Sequence, residues 1–453
     1  MILKPITYEK LAQNSYLVGC AATGEAIVID PVRDPGMYVE LAEANGLRIV
    51  AITETHIHAD YLSGTRELSA ATGATMYLSD EGGDLWKYAF ADDPKVVLLK
   101  DGDKIDIGNL TLTAIHTPGH TPEHLSFLLV DHPAGETPHS MFSGDFIFVG
   151  DVGRPDLLER AAQMEGTMEK GAQVLYESLK KMESYPDSLL IWPGHGAGSA
   201  CGKSLGAVPV TTLGYERKTN WAFQSQSVEA FVKEILEGQP EPPYYFKEMK
   251  RLNKVGPDVL AGLRRPDHLG APVGALVDIR PVVKVRNGAI SGSLSLPFGR
   301  SFTNWAGWLL EYDKPITLVA DSSDDALDAK RDLAMIGLDV VAGWISPTEL
   351  AEPVDPLNQV TLDGISDQDY LLDIRGQSEW NSGHLASAHH IPLGYLRNQI
   401  DALPRDRRIV VYCQSAGRSP IGASVLRQAG FDNIAELQGG ISRVPSEKLV
   451  LNG

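Results

Sequence analysis

The chain has 453 residues, more than one hydrophobic core usually serves, so roughly two to four domains are expected. With 43% apolar and 22% charged residues it has the composition of folded protein, which excludes a largely disordered, collagen-like or coiled-coil molecule. The 40 Lys and Arg against 59 Asp and Glu leave a formal net charge of −19, which repels a phosphate backbone and argues against nucleic acid as a partner.

The opening MILKP lacks a basic region followed by an apolar stretch and a small-residue cleavage site. A run of about 18 apolar residues, long enough to span a bilayer, is absent from the sequence. A soluble, unexported protein with no membrane partner is therefore expected. Three scattered cysteines, Cys20, Cys201 and Cys413, are too few for a disulfide framework and fit a reducing cytoplasm.

From Asn14 to Pro31 two apolar runs flank a Gly-containing turn, which predicts a hairpin ending at Asp30. Helical periodicity follows in MYVELAEANG (37–46), and then the apolar strand LRIVAITET leads into His56. Further strands are predicted at LTLTAIHT, HLSFLLV, SMFSGDFIF and SLLIWPGH, each ending near a His or an Asp. Strand, helix, strand and then a polar cluster suggest a layered α/β domain with its site at strand ends. Between about 215 and 270 a helix at SVEAFVKEILEG gives way to QPEPPYYFKEMKRLNKVGP, where Pro and mixed charge suggest an exposed connection and the first domain boundary.

Beyond it the sequence repeats. Residues 276–299 align without a gap to 371–394, and 315–338 to 408–431, a period near 95 residues that gives each copy its own core. The expected domains are 1–245, 255–350 and 360–453.

Two constellations carry chemistry. In the first, THIHADYLSG (55–64) sets His56, His58 and Asp60 at alternate positions directly after an apolar strand, where their side chains can turn to one point. HTPGHTPEH, SGDFIF and PGHGAGS then add His120, Asp145 and His195 at other strand ends, so a metal site is expected. His116, His124 and His132 read as packed or solvated.

HxHxD, TPGHT, GD and GH in this order resemble the metallo-β-lactamase superfamily over roughly residues 1–240, which implies an αββα sandwich. Two-zinc members use HxHxDH; here Tyr61 replaces the last His, which disfavours a second metal. Within the superfamily the resemblance is to the persulfide dioxygenases, which implies a single non-haem iron(II) held by His56, His120 and Asp145. Two His and one carboxylate leave about three positions open on an octahedral iron, enough for a persulfide sulfur and O₂ together. His58, Asp60, Tyr61 and His195 are then expected around the ligands, orienting them or moving protons. Gly153-Arg154-Pro155-Asp156 adds to the resemblance, with Arg154 either contacting substrate or pairing with Asp156. Cys201, six residues after His195, is a loop thiol able to relay sulfur or a buried small residue. Arg217, Lys218 and Trp221 are candidates to hold an acidic or nucleotide-bearing substrate tail, or form a solvated basic turn.

In the second constellation the strand RIVVY runs into Cys413-Gln414-Ser415-Ala416-Gly417-Arg418-Ser419 and then a helical stretch. Such a loop directs backbone N–H groups and the helix dipole at its centre, where they stabilise an anion. With DIR (373–375) and GHLASAHHIP (383–392), the cradle resembles the rhodanese sulfurtransferases over about residues 360–453. The resemblance implies that Cys413, supported by Arg418, accepts a sulfane sulfur and passes it on, while Asp373 and Arg375 are structural. The first copy has Ala320 where Cys413 stands and Asp325 where Arg418 stands, so it resembles a degenerate rhodanese-homology domain.

The module order resembles persulfide dioxygenase–rhodanese fusion proteins, an α/β multidomain architecture. It implies oxidation of a low-molecular-weight persulfide, of glutathione, coenzyme A or a similar thiol, by O₂ to sulfite, coupled to thiosulfate chemistry at Cys413, in a homo-oligomer serving sulfide oxidation. The alternatives are a zinc thioester hydrolase of the glyoxalase II kind fused to a rhodanese, and a sulfur-responsive binding protein.

Overall fold

Short apolar runs broken by turns pair into two six-stranded sheets in the first half of the chain. The first sheet follows the order β1 (Ile2–Tyr8), β2 (Gln13–Cys20), β3 (Glu25–Ile29), β4 (Arg48–Thr53), β5 (Thr75–Ser79) and β6 (Val96–Leu99). The second comprises β7 (Lys104–Ile107), β8 (Leu110–His116), β9 (Leu125–Asp131), β10 (Ser140–Gly144), β11 (Leu190–Pro193) and β12 (Thr211–Thr212), again as successive neighbours. The computed structural model describes residues 1–160, 166–203, 205–350 and 356–451. It separates into two compact units, Met1–Leu263 with Ala334–Gly337, and Arg264–Leu333 with Leu338–Gly453. Among the described residues, no helix is long and apolar enough to cross a membrane.

Side chains alternate across a strand, and here both faces of the second sheet are covered. Phe127, Leu129 and Phe142 join Tyr16, Val18, Ile27 and Ile29 in the core between the sheets. Their neighbours Leu128 and Met141 point the other way, onto Leu175, Leu179, Phe231 and Ile235 of the helices Met168–Lys181 and Val228–Leu236. The helices Pro35–Ala44 and Thr65–Thr72 pack against β4 of the first sheet. The first unit is thus the expected αββα sandwich. The strand read through SGDFIF stops at Gly144, whose φ of 50° turns the chain and leaves Asp145 at the strand end.

The stretch read as an exposed connection folds differently. Tyr245–Val255 is a helix that buries Tyr245, Phe246, Met249, Lys250 and Asn253, and the first unit runs past residue 245 to Leu263. Asn253 reaches back to the HxHxD loop, where its amide donates to the His58 and Tyr61 carbonyls (2.9 and 2.8 Å) and accepts from Ser63 N–H (2.8 Å).

The second unit holds the repeat. β13 (Ala275–Asp278), β14 (Leu294–Ser295), β15 (Ile316–Val319) and β16 (Val341–Ile345) form a parallel sheet in the order β14-β13-β15-β16. Its counterpart contains β17 (Asn358–Val360), β18 (Tyr370–Asp373), β20 (His389–His390), β21 (Ile409–Tyr412) and β22 (Ile434–Leu437), in the order β17-β22-β21-β18-β20. Strand β19 (His384–Leu385) pairs separately with β23 (Leu449–Val450). Apart from the added edge strand β17, the two orders coincide copy for copy. The expected junction between 350 and 360 includes residues outside the described ones.

Candidate metal centre and cysteine loop

The metal centre begins with a residue that is not one of its candidate ligands. At the end of β3, Asp30 adopts a left-handed φ of 53° and is buried. Its carboxylate accepts from Thr55 N–H (2.7 Å) and Thr55 Oγ1 (2.9 Å) and pairs with His58 Nε2 (3.1 Å). Because the Thr55 hydroxyl donates to Asp30, it can only accept from His56 Nδ1 at 3.0 Å, which leaves the Nε2 lone pair facing inward. His120 Nδ1 donates to the Arg154 carbonyl (2.9 Å) and His195 Nδ1 to the Ala12 carbonyl (3.2 Å), so both rings take the same tautomer.

These inward Nε2 atoms converge on carboxylates. His120 Nε2 and His56 Nε2 lie 3.5 and 3.9 Å from Asp145 Oδ2, and His195 Nε2 lies 3.4 Å from Asp145 Oδ1 and 3.2 Å from Asp60 Oδ2. None of the three nitrogens, nor any carboxylate oxygen of Asp60 or Asp145, has a hydrogen-bond partner among the described residues, although all are buried. Such a cluster of buried acceptors is costly unless a cation occupies it, so the donor set fits a metal ion. His56, His120 and Asp145 bring ligand atoms within 4.8 Å of one another, and so do Asp60, His195 and Cys201.

Electrostatics agree with this division. Burial, then the neighbouring imidazoles, hold His56 well below the ordinary histidine value; burial, then the Lys250 ammonium, do the same to His120. A neutral imidazole is the metal-binding form. Burial pulls His195 and His58 down, but carboxylates outweigh it: Asp145 and Asp60 lift His195, and Asp30 lifts His58 to about 9. Burial pushes Asp145 up to about 6 against the pull of His195. Cys201 is raised by burial and by the Asp60 and Asp145 carboxylates.

His124, read as packed, is packed: its ring stacks on His56 with centroids 5.1 Å apart and accepts from Asp145 N–H (3.1 Å), while Nδ1 donates to Thr117 Oγ1 (2.9 Å). Burial takes it down to about 3, so it stays neutral and holds the Asp145 backbone in place. His116 meets the Pro122 carbonyl and His132 pairs with Glu136 near the surface.

In the second unit, Cys413 is buried directly after β21, at the foot of the helix Ser419–Gln428. Arg418 N–H and Ser419 Oγ donate to its sulfur at 3.3 and 3.5 Å. Gln414, Ser415 and Gly417 are exposed, and Ala416 takes a left-handed φ of 59°. The Arg418 guanidinium grips Glu379 through two bonds of 2.7 and 2.6 Å and lies in the field of the Cys413 sulfur. Asp373 clamps Arg375, which also reaches the Gly383 carbonyl, and the other copy repeats the clamp with Asp278, Arg280 and the Gly288 carbonyl.

The metallo-β-lactamase superfamily profile matches residues 8–195, and the rhodanese-like domain profile matches residues 357–446. The mitochondrial persulfide dioxygenase ETHE1 of Bos taurus is 30% identical over 236 residues, 51% of this chain and 80% of that protein. The chain belongs to the metallo-β-lactamase superfamily. It joins a domain homologous to persulfide dioxygenases to a C-terminal rhodanese-like domain. A metallo-β-lactamase structure from Staphylococcus aureus is 41% identical, covers 76% of this chain and 99% of its own, and superposes with a TM-score of 0.72. The hydroxyacylglutathione hydrolase of Rhodospirillum rubrum is 32% identical over 181 residues, 40% of this chain and 60% of that protein.

The superfamily's HxHxDH position is where Tyr61 stands. Its ring packs 4.4 Å from His58 and its hydroxyl donates to the Asp30 carbonyl, so the third donor beside Asp60 and His195 is Cys201, not residue 61. Three of the residues offered as substrate contacts or as structural groups are engaged within the domain. Arg154 is fully buried, bound to Asp156 (2.8 and 2.6 Å) and to the Ala200 and Pro240 carbonyls, and so braces the loop before Cys201. Arg217 is engaged by Asp187 and the Met182 and Tyr185 carbonyls. Trp221 stacks on Phe231 and donates to Asp151 (3.0 Å). Lys218 alone of that group is exposed.

Sequence reasoning missed Lys250. It is buried with its ammonium unpartnered among the described residues, 5.2 Å above the Trp86 ring, and it interacts electrostatically with Glu123, Cys201 and Asp145. Burial lowers it to about 8. The apolar spacing of Tyr245, Phe246 and Met249 was the available signal for its helix.

Gly153 ties the Gly-Arg-Pro-Asp turn to the metal centre, since a Cβ there would lie 1.7 Å from the Asp145 carbonyl oxygen and 3.1 Å from His120 Cβ. Gly153→Ala should displace Asp145, cost about 1–3 kcal/mol of stability and lower the metal retained per chain. Metal analysis beside denaturant unfolding checks this, and an unchanged metal content would count against it.

Proposed function

We propose that the chain oxidises a low-molecular-weight persulfide with O₂ at an iron(II) held by His56, His120 and Asp145, and exchanges sulfane sulfur with sulfite and thiosulfate at Cys413. The observation that carries this reading is the buried set of inward Nε2 and carboxylate atoms with no partner among the described residues, in one chain with a cysteine loop built to hold an anion. The oxidation balances as R-S-SH plus O₂ plus H₂O giving R-SH, sulfite and two protons. Iron(II) would supply the O₂ chemistry when bound.

The chain's own residues do the rest. Lys250 presents a desolvated cation toward the Asp145 side of the centre, suited to an anionic persulfide sulfur or to sulfite. His195 and Asp60, adjacent at 3.2 Å, form a pair able to hold and release a proton beside the ligands. In the second unit the persulfide on Cys413 gives its outer sulfur to sulfite, forming thiosulfate and restoring the thiol; the reverse reaction uses the same groups. Arg418 N–H and Ser419 Oγ steady the sulfur. Three free cysteines suit a reducing cytoplasm.

A two-metal thioester hydrolase is the rival reading, supported by the Rhodospirillum rubrum relative and by Asp60, His195 and Cys201 as a second donor set. His120→Ala separates the two: iron and persulfide-dependent O₂ uptake should disappear together, and full O₂ uptake by an iron-free variant would contradict the proposal. Lys250→Met should raise KM for the persulfide about tenfold with a smaller change in kcat, as expected for binding shared by ground and transition states; an unchanged KM would remove Lys250 from the site. Cys413→Ser keeps a hydroxyl of similar size that cannot carry sulfane sulfur. It should accumulate sulfite where the parent yields thiosulfate, whereas equal thiosulfate from both would move transfer elsewhere, with Cys201 the next candidate.

A further inference from the structure

The cysteine-less copy has lost the nucleophile and cannot transfer sulfur by this route, yet one of its side chains reaches the loop that can. Arg286 lies in the last turn of the helix Val282–Asn287. Its Nη2 donates to the Ala416 carbonyl at 2.8 Å, and its Nε and Nη2 engage Glu436. Glu436 is fully buried on β22, in register with Val411 of β21, and takes a further bond from Gln359 (2.8 Å). The repeat does not require this arginine, because the aligned position in the active copy is Asn381.

Ala416 is the one residue of the Cys413 loop with a positive φ, 59°, a strained conformation that a side-chain-bearing residue keeps only where its surroundings hold it. The protein's own C-terminal copy holds the loop at its start, where Ile441 N–H donates to the Cys413 carbonyl and Ser442 N–H to the Gln414 carbonyl, each at 3.0 Å. Arg286 holds it at Ala416. A peptide unit is planar and trans, so fixing the Ala416 carbonyl also fixes the Gly417 N–H on the opposite side of the same plane. The next N–H, of Arg418, already points at the sulfur.

We propose that Arg286 of the degenerate copy is a positioning residue for the Cys413 loop, locking the Ala416–Gly417 peptide so that the loop's N–H groups stay turned toward an anion beside the sulfur. The copy that lost its cysteine thereby supplies part of its neighbour's anion cradle, with Glu436 as the fixed anchor for the guanidinium. Without Arg286 the Ala416 peptide is free to leave the left-handed region, and the donors beyond it lose their common focus.

The inference rests on the sulfurtransferase reading, and the test separates the two. Full-length protein is assayed for sulfur transfer from thiosulfate to a thiol, and Cys413 alkylation by anionic iodoacetate and neutral iodoacetamide is followed on the Cys413 peptide by mass spectrometry. Arg286→Gln should lower kcat about tenfold, within the roughly hundredfold that a 1 Å misplacement can cost, with KM for the thiol little changed. It should also lower the iodoacetate-to-iodoacetamide ratio several-fold, and Arg286→Lys should recover part of both. Ser424→Ala is the control, because it removes another tie between the copies, the Ser295 N–H bond to Ser424 Oγ at 3.0 Å, without touching the loop; both readouts should stay at the parent level.

A parental ratio and kcat in Arg286→Gln, or an equal loss in Ser424→Ala, would overturn the proposal in favour of simple stapling of the copies. Should Arg286→Gln fail to fold, Arg286→Lys decides, since it keeps a charge for Glu436 but not the geometry that serves Glu436 and Ala416 together. A parent protein with no transfer at all would overturn the sulfurtransferase reading, while the alkylation ratio would still judge the clamp.

Discussion

The metal centre depends on the buried carboxylate of Asp30. Standing at the end of β3 with a left-handed backbone, it ties that strand to the loop after β4 through the amide and hydroxyl of Thr55. The hydroxyl's orientation fixes the His56 tautomer, and the other carboxylate oxygen, Oδ1, pairs with His58 Nε2. The outcome is a division between two histidines only two residues apart, one presenting a free Nε2 and the other held as an ion-pair partner. Backbone carbonyls of Ala12 and Arg154 perform the same service for His195 and His120. A fold that buries several unpaired acceptors at one point gains stability from the cation that satisfies them.

The second unit solves a different problem with the same economy of backbone. An anion beside Cys413 needs converging donors more than it needs charge, and a strand-to-helix loop supplies them. The two copies share a sheet order and an Asp–Arg clamp but differ at the site: Ala320 and Asp325 remove the nucleophile and oppose an anion, while Arg286 bonds to the loop of the neighbouring copy. Loss of chemistry in one copy and support of chemistry in the other are therefore compatible on one scaffold.

Much of this was legible in the sequence where the signal was local. The repeat, the αββα reading and the convergence of His56, His120 and Asp145 follow from strand ends that carry their functional residue within a few positions, as does Cys413 between its strand and helix. What was not legible depends on partners far along the chain. Asp30 acts on His58 from 28 residues away, and Asn253 acts on it from 195. The helix carrying Asn253 and Lys250 was hidden by the prolines before it and by its mixed charge, which outweighed the spacing of Tyr245, Phe246 and Met249. For Arg154, Arg217 and Trp221 the sequence left two roles open for the converse reason: a charged or aromatic side chain in a motif reads as available until its neighbours are known, and all three are engaged within their own domain. Cys201 joins Asp60 and His195 from a loop that Arg154 braces at the Ala200 carbonyl, a contact between segments 46 residues apart.

The central claim is that the donor set holds one iron and directs O₂ to a persulfide. Its most direct test is an oxygen-electrode measurement on the full-length protein with the bound metals counted in the same preparation, using glutathione persulfide as substrate. The account predicts about one iron per chain, as a two-His-one-carboxylate face implies, and O₂ consumption that matches the sulfite and thiosulfate formed. Two zinc ions per chain with thioester hydrolysis and no O₂ uptake would contradict it.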